Sequence, residues 1–254
     1  MSSGKARRYL RTSDVARVVG VHPNTIRLYE SWGFLPPIPR TPGGYRMFTL
    51  DHVDQARLTH TALQAPYPGG KTPALNLVFH AASGDLGGAL EQAYVYLTQI
   101  RAEQAQAEAA VELLERWSQG AATDATAALL QIGQAAQLLN LTADTLRNWE
   151  RDGLIKVPRN PRNGYRLYGA AQIGRLRVIR VLRRSGYSNM AILRMMLHLD
   201  RGQGGDLRQV LDTPPPDEDV YSAADHWLST LAAQEGRALD VIAQLEAMIS
   251  KRQA

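Results

Sequence analysis

The sequence predicts a mainly α-helical chain: two winged helix-turn-helix heads with short β wings, plus two long helices paired as an antiparallel coiled coil. Three observations predict it. The 254-residue chain matches itself at an offset of 120 residues, with Gly44-Tyr45-Arg46 falling on Gly164-Tyr165-Arg166. In each copy, glycine or asparagine punctuates two short amphipathic stretches at the spacing of a helix-turn-helix. Each copy then runs into a long alanine-rich segment whose apolar residues recur every four and three positions.

The repeat is dense where the heads lie. Thr25-Ile26-Arg27 falls on Thr145-Leu146-Arg147, Tyr29-Glu30 on Trp149-Glu150, and Gly33 on Gly153. Downstream, Tyr67 falls on Tyr187, and Asp85-Leu86 on Asp206-Leu207 once one residue is inserted. The second copy also carries the insert Pro214-Pro215-Pro216-Asp217-Glu218-Asp219. The expected organisation is a first head over residues 1–64, a connecting helix and long helix over 65–117, and a linker over 118–128. A second head follows over 129–187, then connecting helices and the second long helix over 188–254.

In the first head, Thr12-Ser13-Asp14 is an N-cap signal before the apolar face of Val15, Ala16, Val18 and Val19. Gly20 ends this helix, because glycine takes the left-handed C′ conformation at little cost. Pro23 and Asn24 open the second helix, which Gly33 closes. The second copy repeats the plan over Ile132 to Leu139, a turn at Asn140-Leu141, and Ala143 to Arg151. A Pro/Arg-rich loop and a Gly-containing turn follow in each copy. Tyr45-Arg46-Met47-Phe48 and Tyr165-Arg166-Leu167-Tyr168 read as two-stranded wings. Another amphipathic helix starts near Leu50 or Ala170, and the second carries Arg175, Arg177, Arg180, Arg183 and Arg184.

The long helices are expected at about 89–117 and 223–251. Their seams read Ala93, Leu97, Ile100, Gln104, Ala107, Val111, Leu114 and Ala224, Leu228, Leu231, Glu235, Ala238, Ile242, Leu245, Ile249. A helix of this length spans about 40 Å and needs a partner for its seam. Either the two helices pair within one chain, or each pairs with a second chain. The linker reaches up to about 40 Å when extended, which favours a monomer with an intrachain pseudo-two-fold over a homodimer.

Composition limits the chemistry. The chain carries 29 Lys+Arg against 24 Asp+Glu, a net charge of +5, and no cysteine. Disulfides, thiolate metal sites, iron–sulfur clusters and cysteine nucleophiles are excluded. The six histidines (22, 52, 60, 80, 198, 226) form no metal-ligand spacing, so neither metal nor cofactor is expected. No phosphate-cradling glycine loop or paired nucleophile and base supports an enzyme. No apolar run approaches the ~18 residues of a membrane span, and the basic N-terminus lacks the apolar stretch of a signal peptide. Charge is segregated: residues 5–60 carry net +5 and 128–187 net +8, while 61–127 and 188–254 each carry −4. Basic heads and acidic helices are the layout expected when the heads meet phosphates.

On Thr25-Ile26-Arg27-Leu28-Tyr29-Glu30, Gly33-Phe34-Leu35 and Gly44-Tyr45-Arg46-Met47-Phe48, and on their counterparts 120 residues on, the chain resembles the MerR family of bacterial transcription regulators. The family's usual protomer is one winged helix-turn-helix head plus one long helix, paired with a second through an antiparallel coiled coil. This chain resembles two such protomers fused.

Base reading is expected from the second helix of each head: His22, Asn24, Thr25 and Arg27, against Thr142, Asp144, Thr145, Arg147 and Asn148. Leu28 and Asn148 stand where many members of the family carry Tyr. Tyr29 and Trp149 either touch the DNA backbone or sit in the core of the head. The wings offer Arg40, Tyr45 and Arg46, and Arg159, Arg162, Tyr165 and Arg166, as phosphate ligands. Arg46 and Arg166 resemble the family's DNA-contacting wing arginine, the alternative being an ion pair with Glu30 or Glu150.

The resemblance implies double-stranded DNA and RNA polymerase as partners, in the bacterial cytoplasm at the nucleoid, and a device that bends and undertwists promoter DNA. The unlike heads imply two unlike half-sites. The rival reading is an architectural or excisionase-like DNA-bending protein. Metal-sensing relatives use cysteines that this chain lacks, and drug-sensing relatives add a C-terminal domain not expected after Ala254. A small-molecule effector would enter near Tyr94, Tyr96, His226 and Trp227.

Overall fold

A computed structural model describes residues 9–67, 70–120, 128–203, 205–214 and 223–253. Most of the linker and most of the proline-rich insert lie outside the described residues. The chain divides into two compact units. One comprises residues 1–101 with 233–254, the other 102–232.

In the first unit, α1 (Thr12–Val19) and α2 (Pro23–Ser31) form the helix-turn-helix. The cap of α1 differs from expectation. Arg11 occupies the N-cap position, and the Asp14 carboxylate reaches back to accept its backbone N–H at 2.9 Å. The acid of Thr12-Ser13-Asp14 acts from the third helical position, where it also meets the positive end of the helix. Gly20 ends α1 at φ +81°, the left-handed conformation that its counterpart Asn140 adopts at φ +49°. Leu10 bridges Phe48 in antiparallel fashion and closes the head. α3 (Leu50–Ala62) and α4 (Thr72–Ser83) complete it, with Ile26, Phe48, Ala56, Leu58 and Leu77 fully buried.

Two helix segments lie against this head. One is the start of α5 (Leu86–Ser118), the other the C-terminal part of α11 (Trp227–Gln253). Arg101 Nε donates to Glu235 Oε1 at 2.7 Å, and Arg252 donates to the carbonyl of Gly84 at 2.8 Å. Contacts at both ends of the pair fix the two segments antiparallel within this unit. Ala93, Leu97 and Ile100 of α5 share a core with Ala238, Val241, Ile242 and Leu245 of α11. α11 also grips α3 directly: Gln244 donates to Thr61 Oγ1 at 3.2 Å, and Lys251 pairs with Asp54 at 2.7 Å.

The second unit repeats the head with α6 (Ile132–Leu139), α7 (Ala143–Arg151), α8 (Ala170–Arg184) and α9 (Asn189–Asp200). Its core takes Ala107, Ala110, Val111 and Leu114 from the second half of α5, and Leu231 from the start of α11. Each head therefore packs on the far end of the other copy's long helix. The expected seams are the buried faces, with Leu228 and Ile249 half-buried at their edges.

The proline insert explains how the copies differ here. α10 (Leu207–Asp212) is the counterpart of the first turns of α5, and the Asp85 and Asp206 carboxylates cap their respective starts. In the first copy the helix continues unbroken for 33 residues, whereas in the second it stops at Asp212. α11 then begins after a 3-10 turn over Ala223–His226, so Ala224 lies before the helix. Asp212 caps this new start, accepting from the N–H groups of Leu228 at 2.8 Å and Ser229 at 3.1 Å. Arg194 ties the break together through the carbonyls of Val210 and Leu211.

Candidate nucleic-acid interface

The two heads present the same scaffold. In each, the second helix stands on the core through one aliphatic and one aromatic residue, Ile26 with Tyr29 and Leu146 with Trp149. Tyr29 and Trp149 are each only 7% exposed. Of the two readings open for them, the structure takes the core. They lie on the inward face with Ile26 and Leu146, three residues apart as the helical repeat requires. Burial raises the Tyr29 hydroxyl pKa above its ordinary value, with Tyr67 adding to the effect.

The outward face carries His22, Asn24, Arg27 and Leu28 in one head, and Thr142, Asp144, Arg147 and Asn148 in the other, all exposed. Thr25 and Thr145 are half-buried at its border. Local bonds hold these side chains. His22 Nδ1 accepts from the backbone of Asn24, and Thr142 Oγ1 from that of Thr145 at 3.1 Å, so both cap their helices. Arg27 donates to Asn24 Oδ1 at 3.1 Å, and Arg147 to Asp144 Oδ1 at 2.5 Å. Asn148 accepts from Arg151 at 2.9 Å, a partner sequence reasoning did not single out.

Each wing is anchored by a glutamate from the second helix. Glu30 accepts from Arg46 Nε at 2.5 Å and from Arg40 at 3.3 Å. Glu150 accepts from Arg166 Nε at 2.5 Å and from Arg159 at 3.0 Å. The ion-pair alternative for Arg46 and Arg166 is therefore the observed one. Each arginine keeps further N–H donors beyond the bond its Nε makes. In place of two-stranded wings, the described residues hold one isolated antiparallel bridge per wing, Arg40 with Arg46 and Arg159 with Arg166. The wings also differ by a residue. Gly44 N–H closes its turn on Thr41, three residues back, while Gly164 N–H reaches Asn160, four back. The offset of 120 thus slips to 119 at Arg40 and Thr41, which match Arg159 and Asn160, and recovers at Gly44 and Gly164. Tyr45 and Tyr165 project outward at 77% and 61% exposure, and Arg162 is exposed beside Tyr165.

The basic residues of α8 are not all available to a polyanion. Arg175 donates to the carbonyl of Leu154 and pairs with Asp200, Arg180 reaches the carbonyl of Leu139, and Arg183 that of Tyr187. They tether neighbouring elements, so part of the second head's charge is structural. The effector residues expected together fall in separate units, Tyr94 and Tyr96 in the first and His226 and Trp227 in the second. Tyr96 donates to buried Gln234, and His226 meets the carbonyl of Asp212. Among the described residues, no group of three or more acidic, His or Cys side chains is placed to hold a metal, and no helix is long and apolar enough to cross a membrane.

Family comparisons agree with the duplicated scaffold. The MerR family regulatory protein model matches residues 11–48, and the MerR HTH family regulatory protein model matches 130–199. The HTH-type transcriptional regulator CueR of Escherichia coli O157:H7 is 34% identical over 58 residues, 23% of this chain and 43% of the relative. A probable heavy metal-dependent transcriptional regulator of Haemophilus influenzae is 36% identical over 67 residues, 26% of this chain and 52% of the relative. The mercuric resistance operon regulatory protein of Bacillus cereus is 30% identical over 73 residues, 29% of this chain and 55% of the relative. The matches span about half the length of these relatives. No solved structure matches. With one family match in each half and the same helix-turn-helix and Glu–Arg clamp in both, the chain belongs to the MerR family and carries two MerR-like parts in one polypeptide.

Proposed function

We propose that the chain is a non-enzymatic, sequence-specific DNA-binding transcriptional regulator of MerR type, acting at promoters in the bacterial cytoplasm. One observation carries the reading: two heads, 120 residues apart, each expose the second helix of a helix-turn-helix beside a wing whose two arginines are held on a glutamate. A helix so exposed fits the major groove, with its N-terminal residues at base edges. Tyr45 and Tyr165, with the free donors of the clamped arginines, suit phosphate oxygens. Glu30 and Glu150 act as positioning residues, since a carboxylate facing the duplex unpaired would repel it.

In this proposal α5 and α11 pair along their seams as an antiparallel coiled coil within one chain. The antiparallel contacts inside the first unit and the buried seam residues support it. The monomer then addresses two half-sites as a homodimer would, without the palindrome that identical heads impose. Bending and undertwisting the DNA between them, repaid by contacts at both ends, would let RNA polymerase engage a poorly spaced promoter. Footprinting on the native upstream region, combined with in vitro transcription and sizing of the protein alone and on DNA, tests this. A footprint across a promoter spacer, altered transcription and one chain per site are expected. Binding that leaves transcription unchanged would favour a purely architectural protein, and two chains per site would overturn the pseudo-dimer.

A further inference from the structure

We infer that the second residue of each recognition helix, Asn24 in one head and Asp144 in the other, makes the two half-sites differ at one equivalent base pair: adenine under Asn24, cytosine under Asp144. The inference rests on the DNA-binding reading above and names the chemistry that separates its two half-sites. The positions correspond at the repeat offset, and both lie on the exposed first turn that enters the groove.

Each side chain is held from the same direction by the arginine three residues on, Arg27 or Arg147. The scaffold is therefore matched, and the difference is confined to amide against carboxylate. An amide offers an acceptor and a donor, the pattern that pairs with adenine N6 and N7. Asn24 Oδ1 has a second lone pair free beside its bond to Arg27. A carboxylate offers acceptors alone. It is repelled by phosphates and by the purine N7 acceptor. In the major groove, cytosine N4 gives it a donor with no acceptor on the same base. The Asp144 side chain is 83% exposed, so no interior partner claims it. Its charge also cancels that of Arg147, whereas Arg27 keeps its full charge against a neutral neighbour. At this pair of positions the first head thereby offers phosphates the greater local attraction.

The test is binding selection from a random duplex library with the full chain, with D144N, and with N24D, each checked for an unchanged melting temperature. The wild type is expected to return half-sites with adenine at one position and cytosine at its equivalent, each preferred about fivefold or more. D144N is expected to shift the cytosine to adenine, and N24D the adenine to cytosine. Non-specific binding by D144N should also become more salt-dependent, its logarithmic slope steepening by about 0.9 as Arg147 becomes free for a phosphate. Wild-type sites whose equivalent base moves with neither variant would overturn this inference and leave DNA binding intact. A wild-type chain that enriches no sequence would overturn both readings.

Discussion

Leu245→Ala separates the observed packing from the one that sequence order suggests. Leu245 belongs to the second copy, yet it is fully buried in the core of the first unit with Ile26, Phe48 and Leu58. Truncating a fully buried leucine to alanine removes its transfer free energy and leaves a cavity, together about 3 kcal/mol. Opening of the first unit should become easier by that amount, which is about two decades in the exchange rate of amides that exchange through it. Hydrogen exchange read by mass spectrometry, peptide by peptide, checks this. Peptides from α1–α3 should lose protection, while those from α6–α8 should change far less. Leu114→Ala is the reciprocal variant, because Leu114 of the first copy is fully buried in the core of the second unit. Its loss should fall on α6–α8. If Leu245→Ala loosened the second head and spared the first, the packing of each head on the other copy's helix would be refuted.

Gly186 sits at φ +94°, and an added Cβ would lie 2.4 Å from the Trp227 ring nitrogen. Gly186→Ala should therefore lower the melting temperature and strip protection from the α8–α9 junction, more than Gly20→Ala, where the φ is similar but the space is open. Asp212→Ala removes the cap of α11 and should cost about 1 kcal/mol in chemical denaturation. Arg175 holds the Asp200 carboxyl below its ordinary pKa, chiefly by hydrogen bonding. A folded-state pKa that is lowered gives stability present above the unfolded value of about 3.9 and lost as pH falls through the folded one. Asp200→Asn should accordingly destabilise the chain near neutral pH and narrow its gap to the wild type in acid melts. Arg27→Ala should weaken binding to the whole site by about 1–3 kcal/mol in footprint titrations and relax base preference in that head's half-site alone.

Much of the site was legible in the sequence because it is local. A helix-turn-helix is set by caps, turn residues and apolar spacing within about twenty residues, and the repeat supplies two independent readings of each. The ambiguous residues were those whose chemistry suits two environments. Tyr29 and Trp149 combine an aromatic body with a polar tip, and only the packed head shows the bodies inside. Arg46, Arg166, Arg175 and Arg180 look alike as basic residues, yet all four bond within the protein. The one-residue slip in the wings was invisible because compensating shifts restore the alignment at both ends.

By itself the sequence determined the duplication, the two heads, the exposed face of each head's second helix and the buried face of each long helix. Periodicity reports a face, and the 4-3 seam was sufficient for that. It does not report the partner, since an apolar stripe of alanine, leucine and isoleucine packs on any complementary stripe. Tertiary structure decided that Leu245 serves the first head and Leu114 the second. It also decided that the proline insert leaves a helix start for Asp212 to cap. Those choices depend on contacts between residues up to two hundred positions apart, where shape and total burial govern and local propensity has no say.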